Sequence, residues 1–250
     1  MTKKTSRLYY ARFFWVFLLL LIISTNGIAQ KKDKKSEDKK KITNLINQAE
    51  VPLYNGIFIG YELSGPIYKV FSGDYLSNEV NIEFNLKNRY FPVIEMGYGS
   101  TNKWSDYGVN YKTKAPYFRI GADYNFLYKK HQKNFLTGGI RYGMTKYDFD
   151  LATPPVIDGV WEEDISTTDP ELKHSKVASS MQWLEFVVGV RTAIFKNIYM
   201  GWSLRMKYRL SYKKSELGNP WYVPGYGIFK DSRFGITYSI IYRIPGKKKK

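Results

Sequence analysis

The sequence predicts an all-β fold, an eight-stranded antiparallel up-and-down transmembrane β-barrel with short periplasmic turns and long extracellular loops. Three observations carry that expectation. From Leu53 onward, apolar and polar residues alternate with period two in eight successive stretches. The joins between those stretches are short and long in turn. The chain opens on basic residues, an apolar run and a small-residue close, the three parts of a secretory signal.

In chain order, residues 1–29 read as a signal peptide. Lys3, Lys4, Arg7 and Arg12 precede the apolar run Phe13 to Ile23, and Gly27-Ile28-Ala29 puts small residues where a signal peptidase reads. As a helix, that run reaches only about half of a ~30 Å hydrocarbon core, which favours cleavage before Gln30 over a retained anchor. Residues 30–52 read as a basic, flexible periplasmic tether. Lys31 to Lys41 carry a net +4, and Ile42, Leu45 and Ile46 make at most one short amphipathic turn.

The net charge of +17 invites a nucleic-acid reading, but its distribution opposes one. The N-terminal basic residues, the tether and the lysines at 247–250 carry most of the excess, leaving about +5 for the folded part. No nucleic acid is expected as a partner. The chain has no cysteine, which excludes a disulfide scaffold, a thiolate metal site and a cysteine nucleophile. No cofactor or metal is expected.

The first strand sets Ile57, Ile59, Tyr61 and Leu63 against Gly56, Phe58, Gly60 and Glu62. The second sets Val80, Ile82, Phe84 and Leu86 against Asn81, Glu83 and Asn85, and the third sets Ile94, Met96 and Tyr98 against Glu95, Gly97 and Gly99. In the fourth, Phe118, Ile120, Ala122, Tyr124, Phe126 and Tyr128 oppose Arg119, Gly121, Asp123 and Asn125. The fifth, Leu136 to Thr145, carries Arg141 among its polar residues, and the sixth, Leu184 to Ile194, carries Glu185 and Arg191. The seventh opposes Ile198, Met200, Trp202, Leu204 and Met206 to Arg205, Lys207 and Arg209; the eighth opposes Phe234, Ile236, Tyr238, Ile240 and Tyr242 to Arg233, Gly235 and Arg243. Tight links are expected around Asn88, around His131 and at Lys196-Asn197, with long loops at the other four joins. The barrel is thus expected over 53–245, with 246–250 as a basic C-terminal tail. An even strand count puts both ends on the same, periplasmic side.

The polar face holds about ten glycines and charges of both signs, which suit the crowded interior of a small barrel. The apolar face is almost free of charge, with tyrosines towards strand ends, as at a membrane interface. Basic side chains on a lipid face cost about 2–4 kcal/mol each near the midplane, so the polar face must point inward. The expected interior network is Glu62, Glu83, Glu95, Arg119, Asp123, Arg141, Glu185, Arg191, Arg205, Arg209 and Arg233, with a structural role.

Together the strands, the join asymmetry and the signal resemble the small outer-membrane barrels of the OmpA and OmpX type, and more closely the eight-stranded barrel families of Bacteroidota. The resemblance spans roughly Leu53 to Pro245. It implies a Gram-negative outer membrane, contact with membrane lipid and lipopolysaccharide, and delivery by the barrel-assembly machinery. Many such barrels end on an aromatic residue, whereas this chain runs past Tyr242 into four lysines.

Two loops offer candidate surface contacts. Loop three, Asp150 to Lys176, is acidic and contains Trp161, Glu162, Glu163 and Asp164. Loop four contains Trp221, Tyr222 and Tyr226, suited to sugar or protein contact and equally to self-packing over the barrel mouth. The expected activity is non-enzymatic, in envelope integrity or surface interaction. The alternatives are a lipid acyl hydrolase or transferase and a soluble, lipocalin-like ligand-binding barrel. The two histidines, His131 in a turn and His174 in loop three, occupy no strand site with an acidic orienter.

Overall fold

Period-two alternation places one face of each strand inward, and that face is closed off when the last strand pairs with the first. The computed structural model describes residues 51–73, 75–106, 108–129, 134–153, 173–215 and 217–246. The expected signal peptide, nearly all of the tether and the terminal lysines lie outside these residues.

The wall is built from β1 (Tyr54–Glu62), β2 (Tyr75–Leu86), β3 (Tyr90–Trp104), β4 (Asn110–Asn125), β5 (Asn134–Ala152), β6 (Lys173–Phe195) and β7 (Ile198–Tyr212), and β10 (Ser232–Ile244) completes it. Neighbours in sequence pair antiparallel, and β10 closes the ring on β1 through Ile57↔Ile244 to Glu62↔Ser239. A helix, α1 (Ser64–Ser72), follows β1; β8 (Tyr222–Val223) and β9 (Gly227–Ile228) form a small ribbon in the last loop. No helix among the described residues is long and apolar enough to cross a membrane, which says nothing about the strands.

The pairing carries the outward side chains into continuous rows. Ile59 lies beside Ile82, Ile82 beside Ile94, and Ile94 beside Ile120. Ile120, Ile140, Val188, Leu204 and Ile236 are all exposed, so the outer surface is an apolar band. Tyr54, Tyr90 and Tyr242 edge it at the turn end, where Tyr90 packs against Tyr124. In the three-residue β2–β3 link, Lys87 and Asn88 both adopt positive φ, 51° and 58°, the left-handed pair of a tight turn closed by the Arg89 N–H on the Leu86 carbonyl at 3.0 Å. Asn85 tolerates no slack there: its side chain accepts the Asn88 N–H at 2.9 Å and donates to the Asn88 amide oxygen at 2.9 Å.

Three sequence expectations need correction. Strands β3 to β6 run well past their predicted loop ends, and His174, placed in a loop from sequence, pairs with Leu151 inside β6. Beyond the apolar band the polarity of the faces inverts, with Tyr111, Tyr147 and Phe149 turned inward and Lys112, Lys114, Lys146 and Asp148 outward, so the pattern of apolar-out, polar-in ends while the backbone ladder continues regardless of side-chain type. For the same reason the third join, expected to be long, shrinks to residues 105–109, and the strict alternation of join lengths breaks there. The first long join contains α1, which the pattern Ser64-Gly-Pro-Ile-Tyr-Lys-Val-Phe did not announce.

Candidate functional site: a lumen filled in three layers

Inward-facing residues from eight strands meet at the barrel axis, and their chemistry changes along it. At the turn end Phe58, Phe91, Phe135, Tyr199 and Ile241 form an aromatic floor. Phe58 sits edge-on to Phe91, Phe135 and Tyr199 with ring centroids 5.4 to 5.9 Å apart, the geometry that sets positive ring edges against negative faces. The Arg191 guanidinium lies over Phe58 and Phe91 at 5.8 and 5.5 Å, joining this floor to the layer above.

The middle layer is ionic. Arg119 is paired with Glu79, with Glu95 at 2.8 Å and with Glu185 at 2.8 Å. Arg205 meets the same three acids, Glu95 at 2.8 Å, Glu185 at 3.3 Å and Glu79 at 3.4 Å. Arg141 donates two hydrogen bonds to the Asp123 carboxylate, at 2.7 and 2.9 Å, and one to Glu95 at 3.1 Å. Arg191 links Asp123 to Glu83, and Lys207 lies 3.7 Å from Glu185. Five carboxylates thus face five cations, so the layer is neutral. Each acid but Glu83 is shared by two or more cations, as buried charges must be to offset lost hydration.

At the loop end, Tyr111, Tyr117, Tyr147, Phe149, Met181 and Trp183 meet the last loop, which folds inward. Tyr222, Val223 and Tyr226 are buried, and Tyr111 donates its hydroxyl to the Tyr222 carbonyl at 2.8 Å. Lys207 reaches up to the Gly225 carbonyl at 2.7 Å. Gly225 has φ +79°, and a Cβ there would lie 2.4 Å from the Tyr117 ring, so the inward fold of this loop depends on glycine.

The sequence-derived network divides on this geometry. Glu83, Glu95, Arg119, Asp123, Arg141, Glu185, Arg191 and Arg205 come together in the middle layer. Glu62 is half-buried at its margin and accepts from the Ser64 hydroxyl. Arg209 is no lumen residue: it pairs with exposed Asp231 at the rim and lies over Tyr212 and Phe229. Arg233 is half-buried near the mouth, donating to the Ile228 carbonyl at 3.4 Å. Glu79 escaped the sequence reading because Ser77-Asn78-Glu79 is a polar run. Extending the alternation of Asn81 and Glu83 by two residues would have found it. Tyr222 and Tyr226, candidate contact residues, are instead part of the roof, and only Trp221 of that trio keeps partial exposure. The other candidates, Trp161, Glu162, Glu163 and Asp164, lie outside the described residues, as does His131.

These layers leave no water-wide passage through the middle, because a channel would expose its lining. Phe58, Trp183 and Glu185 are 0% exposed, Glu95 1% and Arg119 2%. Trp183 fixes the join between roof and ions, its indole donating to Glu185 at 2.6 Å. A Cβ at Gly143 would lie 2.3 Å from that indole. Gly143→Val is therefore expected to cost about 1–3 kcal/mol by overpacking, measured by urea unfolding in micelles. A cost near zero would mean the indole is not wedged as described.

No cluster of ligating side chains suited to a metal is present among the described residues. A family model described as a domain of unknown function, DUF6048, matches residues 10–249. No curated protein matches the chain. Among solved structures, Neisserial surface protein A aligns with TM-score 0.42 at 11% identity, over 76% of this chain and 96% of its own. A major outer membrane protein from Thermus thermophilus aligns with TM-score 0.44 at 9% identity, over 76% of this chain and 99% of its own. Ail, the attachment invasion locus protein of Yersinia pestis, aligns with TM-score 0.38 at 11% identity, over 76% of this chain and 97% of its own.

Proposed function

The chain belongs to the family described as DUF6048, a domain of unknown function, and on that premise we propose that it is a non-enzymatic, non-conducting barrel of the Gram-negative outer membrane that serves envelope integrity and surface interaction. One observation carries this reading: the molecule is polar and charged inside and apolar outside. The central acids and arginines are 0–6% exposed while Ile120, Ile140, Val188, Leu204 and Ile236 stand outward at 45% or more. In water that arrangement would forfeit most of the hydrophobic driving force; in lipid the closed ladder satisfies most of the wall's backbone groups and the apolar band meets acyl chains. A soluble ligand-binding barrel needs the reverse arrangement.

In this reading residues 1–29 direct export, 30–52 tether the barrel on the periplasmic side, and the loop end faces outward. The stable core holds the loops in place without providing a path for solutes. The barrel-assembly machinery and outer-membrane lipid are its expected partners.

Two measurements test this. Cell fractions are expected to place the chain in the outer membrane, migrating faster on a denaturing gel before boiling than after. In planar bilayers the purified barrel is expected to give no sustained ion conductance. Aqueous solubility with no mobility shift overturns the membrane reading, and stable conductance overturns the sealed lumen.

A further inference from the structure

The barrel wall is incomplete at the loop end. β1 stops at Glu62, opposite Ser239 on β10 and one residue past the Tyr61↔Val80 pair with β2. One more contact follows, from the Leu63 N–H to the Tyr238 carbonyl at 2.8 Å. Above that level Ser232 to Tyr238 on β10 pairs only with β7, and Tyr75 to Glu79 on β2 pairs only with β3. Among the described residues no strand stands between these two edges.

Helix α1 covers the gap from the β2 side. Gly65 packs so closely on β2 that a Cβ would collide with the Ser77 carbonyl, and Tyr68 stacks on Tyr75 at 4.2 Å. Val70 and Phe71, 82% and 81% exposed, turn outward. Between α1 and β10 remains a cavity of about 160 Å³, which reaches from Phe234 and Ile236 on the outer wall in to Arg205, Lys207 and Arg233.

Alternation along β10 makes Phe234 and Ile236 send their backbone groups to the same side as the Tyr238 carbonyl, towards the missing strand. Both side chains are exposed within the apolar band, at 63% and 54%. An open sheet edge facing acyl chains is costly, so something polar must reach it. Beside it stands Arg233, which has no carboxylate within 4 Å among the described residues, whereas Arg119 and Arg205 are each paired with three. At Gly235 a Cβ would meet nothing within 4 Å.

We infer that the gap between α1 and the upper half of β10 is a lateral portal that holds one anionic membrane lipid, its phosphate on Arg233 and its acyl chain along Phe234, Ile236 and the outer face of α1. The inference rests on the membrane reading above. Recognition rests on Arg233: Arg119, Arg205 and Lys207, which also line the cavity, are already neutralised by Glu79, Glu95 and Glu185, whereas Arg233 has no carboxylate within 4 Å among the described residues, and the remaining lining carboxylate, Glu62, is engaged by the Ser64 hydroxyl. A guanidinium pairs with phosphate through parallel N–H donors, and the open space at Gly235 gives the headgroup room.

The test is native mass spectrometry of the full-length mature barrel, released from non-ionic detergent after equilibration with phosphatidylglycerol or with diacylglycerol of the same chains. One phosphatidylglycerol is expected to be retained per barrel and no diacylglycerol. Arg233→Gln is expected to weaken retention about ten-fold, the worth of a charge-assisted contact. Gly235→Phe, whose Cβ has open space and whose ring enters the cavity, is expected to abolish it, whereas Arg89→Gln at the turn end leaves it unchanged. Every variant is checked for heat-modifiable migration, so loss of the fold is told apart from loss of the lipid. A heat-modifiable barrel that retains phosphatidylglycerol equally in parent and Gly235→Phe overturns the portal. Displacement of the lipid by inorganic phosphate, or equal retention of diacylglycerol, overturns the assigned recognition.

Discussion

Arg119→Leu is expected to lower the unfolding free energy of the barrel in micelles by about 3–5 kcal/mol, the cost of orphaning a buried counter-charge. The side chain meets Glu79, Glu95 and Glu185 at once, and all four groups are at most 2% exposed. With it gone, three carboxylates share Arg205 as their common partner, and the neutral middle layer acquires a net negative charge around Glu95 and Glu185, which are 1% and 0% exposed. Removing a charge of the opposite sign restores neutrality, so Arg119→Leu combined with Glu79→Leu is expected to be less destabilised than the sum of the single changes. Urea titration read by tryptophan fluorescence, Trp183 being packed beside Glu185, measures all of these. A single-variant loss under about 1 kcal/mol would show that water reaches the layer and would undo the sealed lumen.

Ile120→Arg tests the opposite face. Ile120 is 49% exposed and lies in the row of outward isoleucines, between the Tyr90–Tyr124 pair at the turn end and Tyr98 towards the loops. If that face meets acyl chains near the midplane, arginine there costs about 2–4 kcal/mol when the barrel is folded into liposomes. If it meets water, a substitution at so exposed a position changes stability by no more than about 0.5 kcal/mol. The two media separate the readings without reference to any ligand. A neutral effect in liposomes would place the apolar band somewhere other than in a bilayer.

The two changes are complementary because the barrel inverts the usual placement of residues. A conservative-looking loss of charge inside is expected to be severe, and a polar gain outside, harmless on a soluble protein, is expected to be severe as well. In the membrane we propose for it, lipid supplies no hydrophobic gain for burying the outer face, so cohesion has to come from the ladder hydrogen bonds and the packed lumen. The three-layer filling is consistent with that demand: aromatic floor, shared ion pairs and inward-folded loop each remove space from the axis.

Some of this was legible in the residues alone. Ile120 and Arg119 are neighbours in sequence, and period two sends one to the outer surface and the other to the axis without any knowledge of partners. The same local geometry placed Glu95, Asp123, Arg141, Glu185 and Arg191 on one face. Sequence pattern failed where the apolar-out alternation lapses: at Glu79, inside a polar run; at the loop ends of β5 and β6, where the outward residues turn polar and apolar ones such as Tyr147, Phe149 and Met181 face inward; and at α1, too short to show a helical period. It also misplaced Tyr222 and Tyr226, because composition does not say whether an aromatic loop turns outward or folds over the mouth.

What the sequence by itself determined is therefore the number of strands, their sidedness and the outward apolar surface, since these follow from backbone geometry two residues at a time. Only the tertiary structure decided which charges meet. Arg119 and Glu185 are 66 residues apart, Arg205 and Glu79 126, and closing the ring is what brings them within hydrogen-bonding distance. It likewise decided that the last loop seals the lumen and that β1 ends early and leaves a gap in the wall. Contacts of that kind depend on how strands stagger around a closed cylinder, a relation between distant segments that no local pattern encodes.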